Sequence, residues 1–364
     1  MNTRPEPQPG ILEIAPYVPG RAQATGIKAP VKLSSNESPL GASPKAIKAY
    51  REAVAGLAAY PDGSATGLRR AIGQAHGLDP DRIVVGTGSD ELLHLIAQAY
   101  IGPGDEAVVS QYGFLVYPIV ITGAGGKAVV APEKDYRTDV ASVLNAVSAK
   151  TRVVFIANPN NPTGSYLSAA EMQRLHRDLP SGVLLVVDSA YAEYVTAEDY
   201  EPGIELVDAA ENVVMVRTFS KMGLAGLRVG WLYGRPWLVD AINRLRGPFN
   251  VGSPAQAAAT AAARDKAFTR KLKSHNARWR RWLGENLEAN WIRVLPSEGN
   301  FVLVLFADEA GPSAADANAA LLAEGLIVRE MDAYGLPNAL RISIGGEEAM
   351  RRVAMVLNGL GRHG

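Results

Sequence analysis

NVVMVRTFSKMGLAGLRVGW, residues 212–231, is the stretch from which the fold is read. Five residues, NVVMV (212–216), open an apolar run that ends at Ser220 and Lys221, with Arg228 seven residues further on. An amine, a hydroxyl and a fixed cation then surround one small cavity at a strand end. An aldehyde carrying a phosphate needs that set: a lysine amine condenses with the aldehyde to a Schiff base, and serine and arginine hold the anion.

Working outward, similar short runs recur: IVV (83–85), AVV (107–109), AVV (128–130), RVVFIA (152–157) and VLLVV (183–187). Continuous apolarity over so few residues suits strands buried on both faces, so the spacing predicts an α/β fold with a mainly parallel central sheet. Helix-length segments lie between the runs. Ser168 with Glu171 forms a capping box, and Ser253-Pro254 reads as an N-cap and first-turn proline ahead of an alanine-rich helix. Beyond about residue 265 a basic, aromatic helix and the strands WIRVL, FVLVLF, LIVRE and ALRISI predict a smaller α+β domain. The expected division is an arm (1–35) packing with the small domain, a large domain (36–250) and the small domain (251–364).

A chain of 364 residues exceeds one ordinary core of about 100–200 residues. Thirty-seven basic residues balance 37 acidic ones, so no global field attracts nucleic acid or an acidic membrane surface. With no cysteine there is no disulfide, thiolate metal site or cysteine nucleophile. The five histidines are scattered, and no metal is expected. The proline-rich start MNTRPEPQPG lacks the apolar core of a signal peptide and no run is long enough to span a membrane, which makes the cytoplasm the expected location.

Several runs end on polar residues that core packing would not select, and in an open α/β sheet such ends line one crevice. GTGSDELL (86–93) resembles a glycine turn opening a helix, where backbone N–H groups and Ser89 can hold a phosphate. Taken alone, Ser89 and Asp90 read as a plain cap. As a dinucleotide fingerprint the segment fails, because Glu91 stands where the third glycine belongs. In NPNNPTG (158–164) the prolines fix a loop from which Asn161 could donate to a phenolate oxygen. Asp188 follows five apolar residues and needs a cation there, which a protonated ring nitrogen supplies; a helix cap is the competing role.

With these residues assembled, the chain resembles the fold-type-I pyridoxal-phosphate aminotransferases, and among them most the histidinol-phosphate branch. The likeness spans nearly the whole chain: APYVPG (15–20), SNESPLG (35–41), YPDGSATGLR (60–69), YGF (112–114), VDSAY (187–191), FSKMGLAGLRVG (219–230), EGNFVLV (298–304) and LRISIG (340–345). The resemblance implies pyridoxal 5'-phosphate held covalently by Lys221, with Asp188 on the pyridinium nitrogen and Asn161 and Tyr191 on the phenolic oxygen. Tyr112 stacks on the ring. Ser89, Asp90, Ser220 and Arg228 bind the phosphate, with Tyr60 reaching in from a second subunit, so a homodimer shares its active sites. It further implies that Arg341 binds the substrate carboxylate, Arg329 the phosphate of a phosphorylated substrate, and that Tyr17 closes over both. Ser189 departs from the DEAY of many relatives. The expected reaction is transamination between glutamate and imidazole acetol phosphate in histidine biosynthesis. Alternatives on the same frame are an aromatic or dual-specificity aminotransferase and a phosphothreonine decarboxylase. A cofactor-binding transcription regulator would need a DNA-binding module for which the 40 residues before the motifs leave no room.

Overall fold

The computed structural model describes residues 5–21, 23, 29–287, 289–307 and 311–360. Seven strands form the central sheet: β1 (Ile83–Gly86), β2 (Glu106–Ser110), β3 (Lys127–Ala131), β4 (Thr151–Ala157), β5 (Leu184–Asp188), β6 (Val213–Thr218) and β7 (Gly230–Tyr233). Their order is β1-β7-β6-β5-β4-β2-β3, and only β7 runs antiparallel to its neighbours. The apolar runs are continuous because both faces are covered. In β4, Val154 and Ile156 enter one core while Val153 and Phe155 enter the other, and β5 divides the same way between Leu185, Val187 and Leu184, Val186. Each such side chain contributes roughly 1.5–3 kcal/mol by leaving water.

The parallel strands all point their carboxyl ends at one edge, where β4 delivers the NPNNPTG loop, β5 ends on Asp188, and β6 ends two residues before Ser220. The Ser168–Glu171 capping box is present, with the Ser168 N–H donating to Glu171 Oε2 at 2.8 Å.

A second sheet contains β8 (Ile292–Val294), β9 (Phe301–Phe306), β10 (Arg329–Glu330) and β11 (Ala339–Ser343), antiparallel in the order β8-β9-β11-β10. Val302, Val304, Leu340 and Ile342 face its helices, packing with Trp279, Leu321 and Val353. Leu303, Leu305 and Ala339 take the opposite face, with Tyr112 and Leu115 of the large unit packed against them. Arg341 pairs in register with Leu303 on this second face, which is why a strand of the small unit carries a cation toward the large one.

The alanine-rich helix, Ser253–Arg264, packs differently from its expected place in the small domain. Ala258, Ala259 and Ala262 lie in the large unit's core with Leu68 and Ile72, because small side chains let this helix approach its neighbours closely. Ser253 is its first helical residue and Gly252 the cap, one position earlier than the sequence suggested. Within the expected arm, residues 1–4, 22 and 24–28 lie outside the described ones. Val31–Lys32 pairs in parallel with Leu326–Ile327, and Leu33 is buried in the small unit's core.

Candidate active site

The anion end is built by β1, β7 and the helix Gly88–Tyr100. Gly88 turns into that helix at φ 77°, and a side chain there would meet Arg228 Nη2 at 2.6 Å. A side chain at Gly230 would strike the Ser89 nitrogen at 2.3 Å, so β7 seats directly against the helix start. This close approach brings Arg228 beside the first turn, where unpaired N–H groups and the helix dipole favour an anion. Arg228 Nη1 donates to Ser220 Oγ at 3.1 Å and Nη2 to Asp90 Oδ2 at 2.8 Å. Ser220 Oγ also accepts from Thr218 Oγ1 at 3.0 Å, which leaves its own proton to be donated.

At the other end Asp188 is 5% exposed. Tyr117 donates to its Oδ2 at 2.8 Å and the Ala190 N–H to its Oδ1 at 3.2 Å. Desolvation dominates and raises the carboxyl to about 6 against these two bonds. The same burial and the adjacent Asp188 push the Tyr117 phenol well above its usual value, so it stays a donor. Tyr117 stacks on Phe155 at 5.2 Å and meets Phe114 edge-on at 5.8 Å.

Lys221 follows the end of β6, its amine 5.6 Å from the centre of the Tyr191 ring. Desolvation, aided by the Arg341 and Arg228 guanidiniums and opposed by Tyr17 and Asp90, lowers it to about 8. Arg341 is 6% exposed, with Nη2 donating to the Ser34 carbonyl at 2.8 Å and Nη1 to Asn161 Oδ1. Since Asn161 Oδ1 serves Arg341, its amide N–H groups are left for the cavity. The Arg341 Nε is buried without a partner among the described residues.

Ser89, Asp90, Asn161, Asp188 and Tyr191 thus line one cavity of about 450 Å³ together with Ser220, Lys221, Arg228, Arg341 and Tyr17. Three expected residues do not line it. Tyr112 stacks on Tyr136 at 5.7 Å and packs on the cluster of Leu303 and Leu305, its carbonyl bonded by Asn160 and its N–H by Glu133. Phe114, two residues on, lines the cavity instead. Tyr60 is 83% exposed and stacks on Phe249 at 4.7 Å on the surface. Arg329 donates from Nη2 to the Val18 carbonyl at 2.8 Å, beside Tyr17, which lies edge-on to Phe114 at 6.5 Å. Sequence reasoning missed Phe114, Tyr117 and Asn36. The YGF triplet held a signal for Phe114, and SNESPLG (35–41) carried the resemblance without giving Asn36 a role.

The family model for aminotransferase class I and II matches residues 28–357. The chain belongs to the class I and II aminotransferases. This aminotransferase is 53% identical over 354 residues to the histidinol-phosphate aminotransferase of Nitrobacter hamburgensis, covering 97% of each chain. It is 52% identical to that of Maricaulis maris, over 97% of this chain and 98% of the relative. Among solved structures, histidinol-phosphate aminotransferase from Sinorhizobium meliloti in complex with pyridoxal-5'-phosphate superposes with a TM-score of 0.88 at 29% identity, over 99% of both chains. The aminotransferase fold is shared, including the mainly parallel sheet.

The cavity fits pyridoxal phosphate, the group held by the Sinorhizobium meliloti enzyme. A side chain at Gly88 would displace the Arg228 guanidinium and one at Gly230 the Ser89 nitrogen, so glycine at both positions keeps these donors at the helix start. Arg228, Ser220 and the first-turn N–H groups form a donor set for a phosphate. Asp188 supplies a buried carboxylate and Lys221 an amine of lowered basicity at the far side.

Proposed function

We propose that this enzyme transfers an amino group between glutamate and imidazole acetol phosphate, giving 2-oxoglutarate and histidinol phosphate. The observation that supports this substrate pair is the 53% identity over nearly the full chain to an enzyme named for histidinol phosphate. Bound pyridoxal phosphate supplies an electron sink that lets the Cα–H bond of an amino acid ionise.

The chain's residues do the rest. Lys221 carries the Cα proton: an amine lowered to about 8 is roughly one-tenth neutral at pH 7, against less than a thousandth for an ordinary lysine. Asp188, oriented by Tyr117 and the Ala190 N–H, would hold a proton on the pyridine nitrogen. Asn161 and Tyr191 would donate to the phenolic oxygen, while Arg228, Ser220 and the Ser89 and Asp90 N–H groups would hold the phosphate. Phe114, which lines the cavity, would pack against the ring, the role expected of Tyr112. Arg341 takes the substrate carboxylate, a fork well matched to a planar anion. Tyr17 lies edge-on to Phe114 at the mouth of the cavity, where it would close over the substrate. Arg329, bonded to the same segment, brings a cation to the edge of the site for the substrate phosphate.

A homodimer belongs to this reading. Tyr60 and Phe249 form an exposed aromatic pair remote from their own cavity, suited to burial against a second copy whose site Tyr60 would complete. No helix among the described residues is long and apolar enough to cross a membrane, and a cytoplasmic location accords with the small-molecule reaction.

The test compares kcat/KM for histidinol phosphate and for phenylalanine, each with 2-oxoglutarate, in wild type and Arg329→Ala. A loss of about tenfold or more confined to histidinol phosphate is expected from removing one phosphate contact. Equal losses would favour an aromatic aminotransferase, and carbon dioxide release without 2-oxoglutarate would favour a decarboxylase.

A further inference from the structure

Asn36 lies outside the strands and helices, is 1% exposed, and has a left-handed backbone at φ 56°. That conformation is uncommon outside glycine, although asparagine tolerates it better than most residues. Four hydrogen bonds hold it. Its N–H donates to Ser343 Oγ at 2.8 Å, and Ser343 Oγ returns a proton to Asn36 Oδ1 at 2.9 Å. The Asn300 amide donates to the Asn36 carbonyl at 2.9 Å. Finally, Asn36 Nδ2 donates to the Tyr191 hydroxyl at 2.9 Å.

The direction of these bonds carries the argument. Ser343 must accept from the Asn36 backbone, so its own proton goes to Oδ1 and the amide orientation is fixed. Nδ2 therefore faces Tyr191 as a donor, and Tyr191 cannot give its proton back to it. The phenolic proton is left for the cavity that Tyr191 lines. Ser343 lies two residues after Arg341 on β11, so the same link ties Tyr191 to the strand bearing the buried guanidinium.

We infer that Asn36 is a positioning residue of the reaction: it holds Tyr191 as a hydrogen-bond donor toward the cofactor's phenolic oxygen and couples that donor to the Arg341 strand. This rests on the transaminase reading above. The charged groups about Tyr191 are Arg341, Asp188, Asp90 and the Lys221 amine over its ring, and none of them donates to the hydroxyl in place of the Asn36 amide.

The experiment is a visible-absorbance pH titration of the protein loaded with pyridoxal phosphate, in wild type, Asn36→Asp, Tyr191→Phe and the double variant. A carboxylate at position 36 accepts the Tyr191 proton and draws it away from the cavity. The donated proton stabilises the phenolate most when the neighbouring nitrogen is unprotonated, so its loss raises the titration midpoint, by about one pH unit for one charge-assisted bond. Tyr191→Phe should raise it as well, and the double variant by less than the sum of the two, the remainder being the direct field of the carboxylate. A folded, loaded Asn36→Asp with an unchanged midpoint, or additive shifts in the double variant, overturns the role. Should Asn36→Asp not fold, Ser343→Ala removes what fixes the amide and must raise the midpoint in the same direction; no change there overturns it as well. A wild type that takes up no cofactor overturns the transaminase reading too, whereas a titrating wild type beside an unchanged variant overturns the Asn36 role alone.

Discussion

Asp188→Asn should stabilise the cofactor-free protein while crippling the loaded one. Burial raises the Asp188 carboxyl from 3.8 to about 6, so the native state holds its proton more tightly than the unfolded chain does. For an acid with a raised value, native stability is present at low pH and is lost as pH climbs from 3.8 through about 6. A shift of some two units costs on the order of 3 kcal/mol at pH 8, and about half of that at pH 5. Asparagine removes the charge at nearly constant volume. Its amide can still engage both the Tyr117 hydroxyl and the Ala190 N–H, with about 1 kcal/mol lost to rearranged bonds. Urea denaturation of the cofactor-free proteins should therefore find the variant more stable by about 2 kcal/mol at pH 8 and by less than about 1 kcal/mol at pH 5. With cofactor bound the preference reverses, since losing an opposite charge worth about 1–3 pK units should lower kcat by roughly 10- to 1,000-fold. A variant no more stable than wild type at pH 8, or a gain that does not shrink on acidification, would refute the assignment of Asp188 as a charge held against its own burial.

Two further outcomes follow from the placement of side chains. Phe114→Ala should weaken cofactor binding by roughly 3- to 10-fold in equilibrium dialysis, the worth of one aromatic stacking contact, while Tyr112→Ala lowers thermal stability and leaves that affinity within about twofold. Because the Lys221 amine is lowered to about 8, reductive trapping of cofactor-free protein with a simple aldehyde should accelerate through pH 8 and level off above it; acceleration continuing past pH 10 would mean an ordinary solvated lysine.

The sheet and most of the cavity were legible because buried parallel strands leave an unusual mark: an unbroken apolar run halted by one polar group. Asp188 after VLLVV and Ser220-Lys221 after VVMV stand out for that reason. The choice between Tyr112 and Phe114 was not legible in the same way. Two aromatic rings two residues apart look alike until Tyr112 is packed on Tyr136 and Leu303 and Phe114 is left to line the cavity. The helix Ser253–Arg264 was assigned by composition, and alanine fits either unit; only its close packing on Leu68 and Ile72 decides. Asn36 lay hidden because its partners Tyr191, Asn300 and Ser343 are 155 to 307 positions away in the chain.

Val31–Lys32 is joined to Leu326–Ile327 across almost the entire polypeptide. The small unit is therefore assembled from both extremities, while the strands β1 to β7 all lie between residues 83 and 233. On a ribosome the central sheet is complete long before Arg341 emerges, and Leu33 must wait, exposed, for the core that will cover it. Loop closure over so many residues is slow, which makes the substrate-binding half of the crevice the last part of the molecule to form.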